Sequence, residues 1–166
     1  MSDAPNIEAF QARLRTDVTT LGISTNATHV TGVRFLPPSV PSLAPKRGSI
    51  AHLACVQINA YLEDPRFEFD LPLAIAGTRH RLAVWEAMQR IPAGATRTYG
   101  ELARELGSSA RAVGGACGAN PLPVVVPCHR VIAAGGALGG FMGAREEGFE
   151  LGVKRWLLGH EGALRS

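Results

Sequence analysis

The sequence predicts an α+β protein in two parts: a small N-terminal antiparallel sheet with one helix, then a mostly helical second half. Three observations carry this. β-Branched residues in alternating runs crowd residues 13–37, "RLRTDVTTLGISTNATHVTGVRFLP". Apolar residues recur at helical spacing in "IAHLACVQINAYLED" (50–64) and again from residue 77 onward. Between the two patterns lies a proline-rich break.

In chain order, Asn26-Ala27 interrupts the first run, which reads as an antiparallel meander. "PPSVPSLAPKRGS" (37–49) holds four prolines and reads as a loop or linker. In 50–64 the apolar stripe is Ile50, Leu53, Ala54, Ile58 and Leu62. "FEFDLPL" (67–73) returns to extended chain. Composition then shifts, so two domains are expected: 1–75, an α/β scaffold, and 76–166. In "GTRHRLAVWEAMQRIPAG" (77–94), Leu82, Val84, Trp85, Met88 and Ile91 form one helical face, and Pro92 with Gly94 ends it. "TYGELAREL" (98–106) predicts a short helix with Leu102, Ala103 and Leu106 inward. Gly107 closes it, and Ser108-Ser109 cap a second helix from Ala110 to about Ala119. Two short helices around a tight turn read as a helix-turn-helix.

The second helix, "ARAVGGACGA", is nearly all small residues. One reading is close packing against another backbone. The other is that a face bearing Ala112, Gly114 and Gly115 approaches an opened minor groove, with Arg111 reaching between bases.

With 166 residues, 46% hydrophobic and 19% charged, the chain has the composition of a soluble globular protein. No segment reaches the roughly 18 apolar residues that span a bilayer, and "MSDAPNIEAF" does not read as a secretory signal. Cys55, Cys117 and Cys128 form no disulfide framework, so a reducing cytoplasm is expected. A net charge of +3 permits a polyanionic partner without establishing one. No internal repeat, low-complexity tract or charge run stands out. His52 and Cys55 have helix-pair spacing, but no second pair completes a zinc set, and no metal is expected.

The chemistry concentrates in "VVVPCHRVIAAGG" (124–136), where a thiol, an imidazole and a guanidinium follow an apolar run. Pro127 turns the chain, and His129 is a base able to activate Cys128, whose ordinary thiol is mostly protonated at neutral pH. Adjacent residues on a strand point to opposite faces, so contact between them requires a turn or a bridging water. A cysteine hydrolase would use the same pair, although no oxyanion arrangement is evident.

"PCHRV" (127–131), within the longer "RAVGGACGANPLPVVVPCHRVI" (111–132), resembles the signature of the O6-alkylguanine-DNA alkyltransferases. "IPAGATRTYGELA" (91–103), "GVKRWLLGHEG" (152–162) and "FEFDLPL" before Gly77-Thr78 resemble other family segments. The resemblance covers 67–166 well and 1–66 loosely. It implies a ribonuclease H-like N-terminal domain and a C-terminal domain for DNA binding and alkyl transfer. It further implies a monomer that flips O6-alkylguanine out of double-stranded DNA from the minor-groove side. The alkyl group, from guanine and also from O4-alkylthymine, passes to the protein once, with no cofactor and no membrane partner.

In that resemblance Cys128 is the nucleophile, His129 its water-linked base and Glu161 the carboxylate completing the relay. Asn120 braces the turns, and Tyr99 bonds the flipped base and serves as a general acid. Arg111 fills the vacated stack, while Ala112, Gly114, Gly115, Arg130 and Tyr99 contact DNA. The pocket is expected from Val131, Phe141, Met142, Gly143 and Trp85. Two departures stand out. Phe141-Met142 replaces a commoner Tyr and Ser/Ala, and "REEGFEL" (145–151) is extra. Some relatives bind lesions without reacting, and they replace the cysteine that this chain keeps.

Overall fold

The computed structural model describes residues 6–164. Residues 1–5, which begin the stretch read for a secretion signal, lie outside the described residues. The chain divides into two compact units at the Ala74–Ile75 bond. It is α+β, with a three-stranded antiparallel sheet in the first unit and four of the five described α-helices in the second.

In the first unit the order is β1 (Ala12–Arg15), β2 (Thr20–Thr25) and β3 (Val30–Leu36), antiparallel throughout, with Leu14 opposite Leu21 and Ile23 opposite Val33. Asn26 makes the expected break: its side chain accepts from the backbone N–H groups of Thr28 and His29. A second break was hidden among β-branched residues. Thr16 Oγ1 donates to Thr19 O at 2.7 Å and accepts from its N–H, folding 16–19 into a turn. The proline-rich loop is tied back, since Leu43 exchanges both backbone hydrogen bonds with Arg13.

Helix α1 (Ile50–Glu63) is capped by Ser49 and packs on the sheet. Its buried face is Ala51, Ala54, Cys55, Ile58 and Tyr61. This corrects the expected stripe: Leu53 is 40% exposed. The small residues at 51, 54 and 55 face the sheet, and the i, i+3, i+4, i+7 face runs through them instead. Gln57 brackets Asp70 with two hydrogen bonds of 2.8 Å and so holds the extended 67–73 segment.

In the second unit, α2 (Arg79–Gln89) buries Val84, Trp85, Ala87 and Met88, and Ile91 just beyond it. Leu82, expected inward, is 40% exposed, because it lies across the helix from the buried Val84, Met88 and Ile91 row. Strand β4 (Arg97–Thr98) leads into α3 (Tyr99–Leu106), where Thr98 accepts from the N–H of Glu101. Gly107, at φ 63°, ends α3 in the left-handed conformation. Ser109 caps α4 (Ala110–Gly118). Strand β5 (Val131–Ile132) pairs in parallel with β4, which brings the start of α3 beside the segment that follows Cys128. Helix α5 (Phe149–His160) completes the unit. It absorbs the last three of the extra residues 145–151.

Candidate functional site

The apolar residues before Cys128 form turns, not a strand. Val126 N–H bonds Leu122 O at 2.8 Å. Asn120 clamps the same loop: its Nδ2 donates to Val126 O at 2.8 Å, and its Oδ1 accepts from Leu122 N–H at 2.9 Å. Val124 has φ 76°, a left-handed conformation costly for a β-branched residue. Cys128–Arg130 then form a single 3-10 turn. With three residues per turn, neighbouring side chains no longer point to opposite faces.

His129 is fully buried, and its Nε2 lies 2.8 Å from Glu161 Oε2. Arg130 reaches the same carboxylate, Nε to Oε1 at 2.9 Å and Nη2 to Oε2 at 2.8 Å, while Nη1 donates to Ile91 O at 2.6 Å. Its side chain is 11% exposed. This corrects the expected DNA contact of Arg130, whose guanidinium neutralises Glu161 from within. An ionised carboxylate only accepts, so Nε2 carries the imidazole proton and Nδ1 keeps a lone pair. Nδ1 is buried with no hydrogen-bond partner among the described residues.

Burial pushes the Cys128 thiol from its ordinary 9.0 up to about 11, against opposing pulls from the Asn120 side chain and the Lys154 ammonium. Burial lowers His129, with Glu161 opposing. Burial thus favours the neutral thiol and the neutral imidazole.

Lys154 went unnoticed in the sequence, where a lysine on an amphipathic helix reads as a solvated face. It is fully buried, and its Nζ donates to Val131 O (2.7 Å), Leu138 O (2.6 Å) and Gly140 O (2.8 Å). It also lies 5.8 Å from the Tyr99 ring centroid and 5.9 Å from that of Phe141. Burial lowers its pKa from 10.5 to about 8. One ammonium thus ties β5 to the loop over the site.

A cleft of about 1090 Å³ opens beside Cys128. One wall is α4, through Arg111, Gly114 and Gly115; the other is the 139–145 loop, and Tyr99 lies between them. Tyr99 donates its hydroxyl proton to Gly140 O at 3.2 Å. A Cβ at Gly139 would sit 2.8 Å from the Tyr99 ring, so glycine is required there. Phe141, Met142 and Gly143 line the cleft as expected positions do, and Cys117 and Arg145 join them.

Three expected residues fall elsewhere. Trp85 is buried, with Nε1 donating to Ala116 O at 2.8 Å, so it supports α4 from behind. Val131 is buried in β5. Ala112 is exposed off the cleft, its N–H taken by the Ser109 cap. Among the described residues no three His, Cys, Asp or Glu side chains gather as metal ligands.

This geometry coincides with a family match: residues 79–163 match the family described as "6-O-methylguanine DNA methyltransferase, DNA binding domain". The chain belongs to that methyltransferase family. The matched region runs from the start of α2 past Glu161, so it contains every residue of the cluster. An inducible methylated-DNA–protein-cysteine methyltransferase of Bacillus subtilis is 47% identical over 98 residues, 58% of this chain and 52% of that protein. The match therefore spans about half of that relative's length. A DNA base-flipping protein of Thermus thermophilus is 44% identical over 136 residues, 80% of this chain and 88% of its own. Among solved structures, Mycobacterium tuberculosis OGT in complex with DNA superposes with a TM-score of 0.75 at 36% identity, covering 91% of both chains.

Proposed function

We propose that this protein repairs O6-alkylguanine in DNA by transferring the alkyl group to Cys128. The observation that carries the reading is the Cys128 thiol at a cleft large enough for a base, adjacent in sequence to a buried His129–Glu161–Arg130 cluster.

The lone pair on His129 Nδ1 takes the thiol proton, through a water or directly, and Glu161 stabilises the imidazolium that forms. The thiolate displaces guanine from the alkyl carbon: the S–C bond forms as the C–O bond breaks. Tyr99 supplies a proton to the departing guanine and is re-protonated, so the thiol proton ends on guanine. Burial holds the Tyr99 hydroxyl up at about 12, which keeps it protonated and able to donate. The thioether resists hydrolysis, so each molecule acts once, with no cofactor.

The α3–Gly107–α4 pair serves as a helix-turn-helix on the minor-groove side, with Arg111 entering the stack and the α4 glycines admitting the backbone closely. Base extrusion costs a few kcal/mol, which the inserted arginine offsets in part. Residues 1–75 form a ribonuclease H-like scaffold and 76–166 the reactive domain. We assign a monomeric protein acting in the cytoplasm, whose reducing conditions suit three free cysteines, and extend its substrates to O4-alkylthymine.

Incubation with O6-methylguanine duplex and intact-mass measurement tests this. Transfer adds one methylene equivalent (a methyl replacing the thiol hydrogen), and Cys128→Ser abolishes it. The second reading, a lesion binder without transfer, draws on the base-flipping name of the Thermus relative. It gives a shifted band in a gel and no mass gain.

A further inference from the structure

Cys128 borders a large cleft, yet it is only 2% exposed. Met142 is part of this cover: its Sδ lies 3.9 Å from Cys128 Sγ. Met142 sits at the tip of a tight turn in which Phe141 and Ala144 exchange backbone hydrogen bonds of 2.8 and 2.9 Å. Its φ is 51° and that of Gly143 is 85°. Two successive left-handed residues suit Asn-Gly or Gly-Gly, and a methionine in the first position is an outlier that calls for a reason.

The turn itself is poorly placed to move. A Cβ at Gly140 would meet Ala144 O at 2.7 Å, and one at Gly118 on α4 would meet Gly143 N at 3.4 Å. Gly143 thus packs close against α4, and the 140–144 loop is tight within itself, while the methionine side chain keeps three rotatable bonds.

An alkyl carbon under attack must come within about 3–3.5 Å of the sulfur. Met142 Sδ stands next to that position and must turn aside before any adduct arrives. Resting on the repair reading above, we propose that Met142 is a specificity-determining residue. Its thioether covers Cys128 in the free protein, and its rotation sets the size of the O6-alkyl group that the site admits. A flexible apolar wall suits apolar adducts, and a sulfur at the edge of a ring suits benzyl.

The test compares wild type, Met142→Gly and Met142→Leu. Glycine favours the left-handed backbone, so that variant folds; leucine keeps the bulk. Iodoacetamide labelling of Cys128, read by peptide mass, needs no DNA. It is expected to accelerate roughly tenfold in Met142→Gly, the scale on which one apolar group discriminates, and to stay near wild type in Met142→Leu. The ratio of transfer rates from O6-benzylguanine and O6-methylguanine duplexes shifts in Met142→Gly as well. Equal labelling and an unchanged ratio across the three proteins overturn the proposal. Absence of transfer in wild type sinks the repair reading alone, because the labelling arm still reports whether Met142 covers the thiol.

Discussion

His129 Nε2 and Glu161 Oε2 meet at 2.8 Å with neither side chain exposed, and Arg130 closes on the same carboxylate. Two donor groups share one negative charge. Glu161→Ala leaves a guanidinium and an imidazole N–H buried without an acceptor, a loss of about 3–5 kcal/mol. For a protein of this size the melting temperature falls by about 10 °C. An unchanged melting curve would show that solvent replaces the carboxylate freely.

The pH dependence of stability follows from the same burial. His129 is lowered from its ordinary 6.5, so the unfolded chain binds more protons on the acid side. Stability is then whole above about pH 6.5 and declines as the pH falls below it. Cys128, Cys117 and Tyr99 are raised to about 11, 12 and 12 from 9.0, 9.0 and 10.0. They hold protons that the unfolded chain releases, so stability falls as the pH climbs through about 9–11. Lys154, lowered to about 8, acts in the opposite direction but is one group against three. Both tryptophans, Trp85 and Trp156, lie in the second unit, so urea titrations followed by tryptophan fluorescence report on it. A midpoint that is flat from pH 5 to 8 contradicts the acid limb.

Asn120→Ala removes both side-chain hydrogen bonds that clamp the 120–126 loop and loosens the strained Val124. The expected cost is about 1–3 kcal/mol from the buried groups left unsatisfied. Cys128 loses an amide neighbour that pulls its thiol pKa downward. Urea midpoints and transfer rates should fall together, and a rate loss at full stability would assign Asn120 to the chemistry alone.

Lys154→Met keeps the length and removes the charge. Three carbonyls lose their donor, and Cys128 loses a positive neighbour. Thiol alkylation at pH 7, where the ammonium is still charged, should be slower than in wild type. The same rate in both proteins would mean that Lys154 acts only as a strut.

Arg111 lines the cleft mouth and is exposed. Arg111→Ala is expected to slow transfer from duplex DNA by tenfold or more, about 1.4 kcal/mol or more. Reaction with free O6-benzylguanine stays within about twofold, because a free base needs no extrusion. Equal losses on both substrates would place Arg111 in base binding instead.

Local signals were legible and long-range ones were not. The helix boundaries at Gly107 and Ser109 follow from capping chemistry that neighbouring residues supply. The inward face depends on which neighbour arrives, so Leu53 and Leu82 were misread beside the smaller Ala51 and Ala87. Arg130 looked available because its partner lies 31 residues away. Lys154 looked solvated because its acceptors come from residues 131, 138 and 140. The turn at Val124 is local, clamped by the nearby Asn120 amide, but the β-branched run masks it.

The glycines of α4 have a cost that bears on how this protein tolerates heat. Each glycine inside a helix is about 0.8–1.0 kcal/mol less favourable than alanine. A methyl added at Gly115 would touch nothing within 4 Å. It would toughen the helix while standing in the mouth of the cleft. Laboratory evolution for thermotolerance, run without damaged DNA present, would therefore drift toward a hardier protein with a narrower entrance.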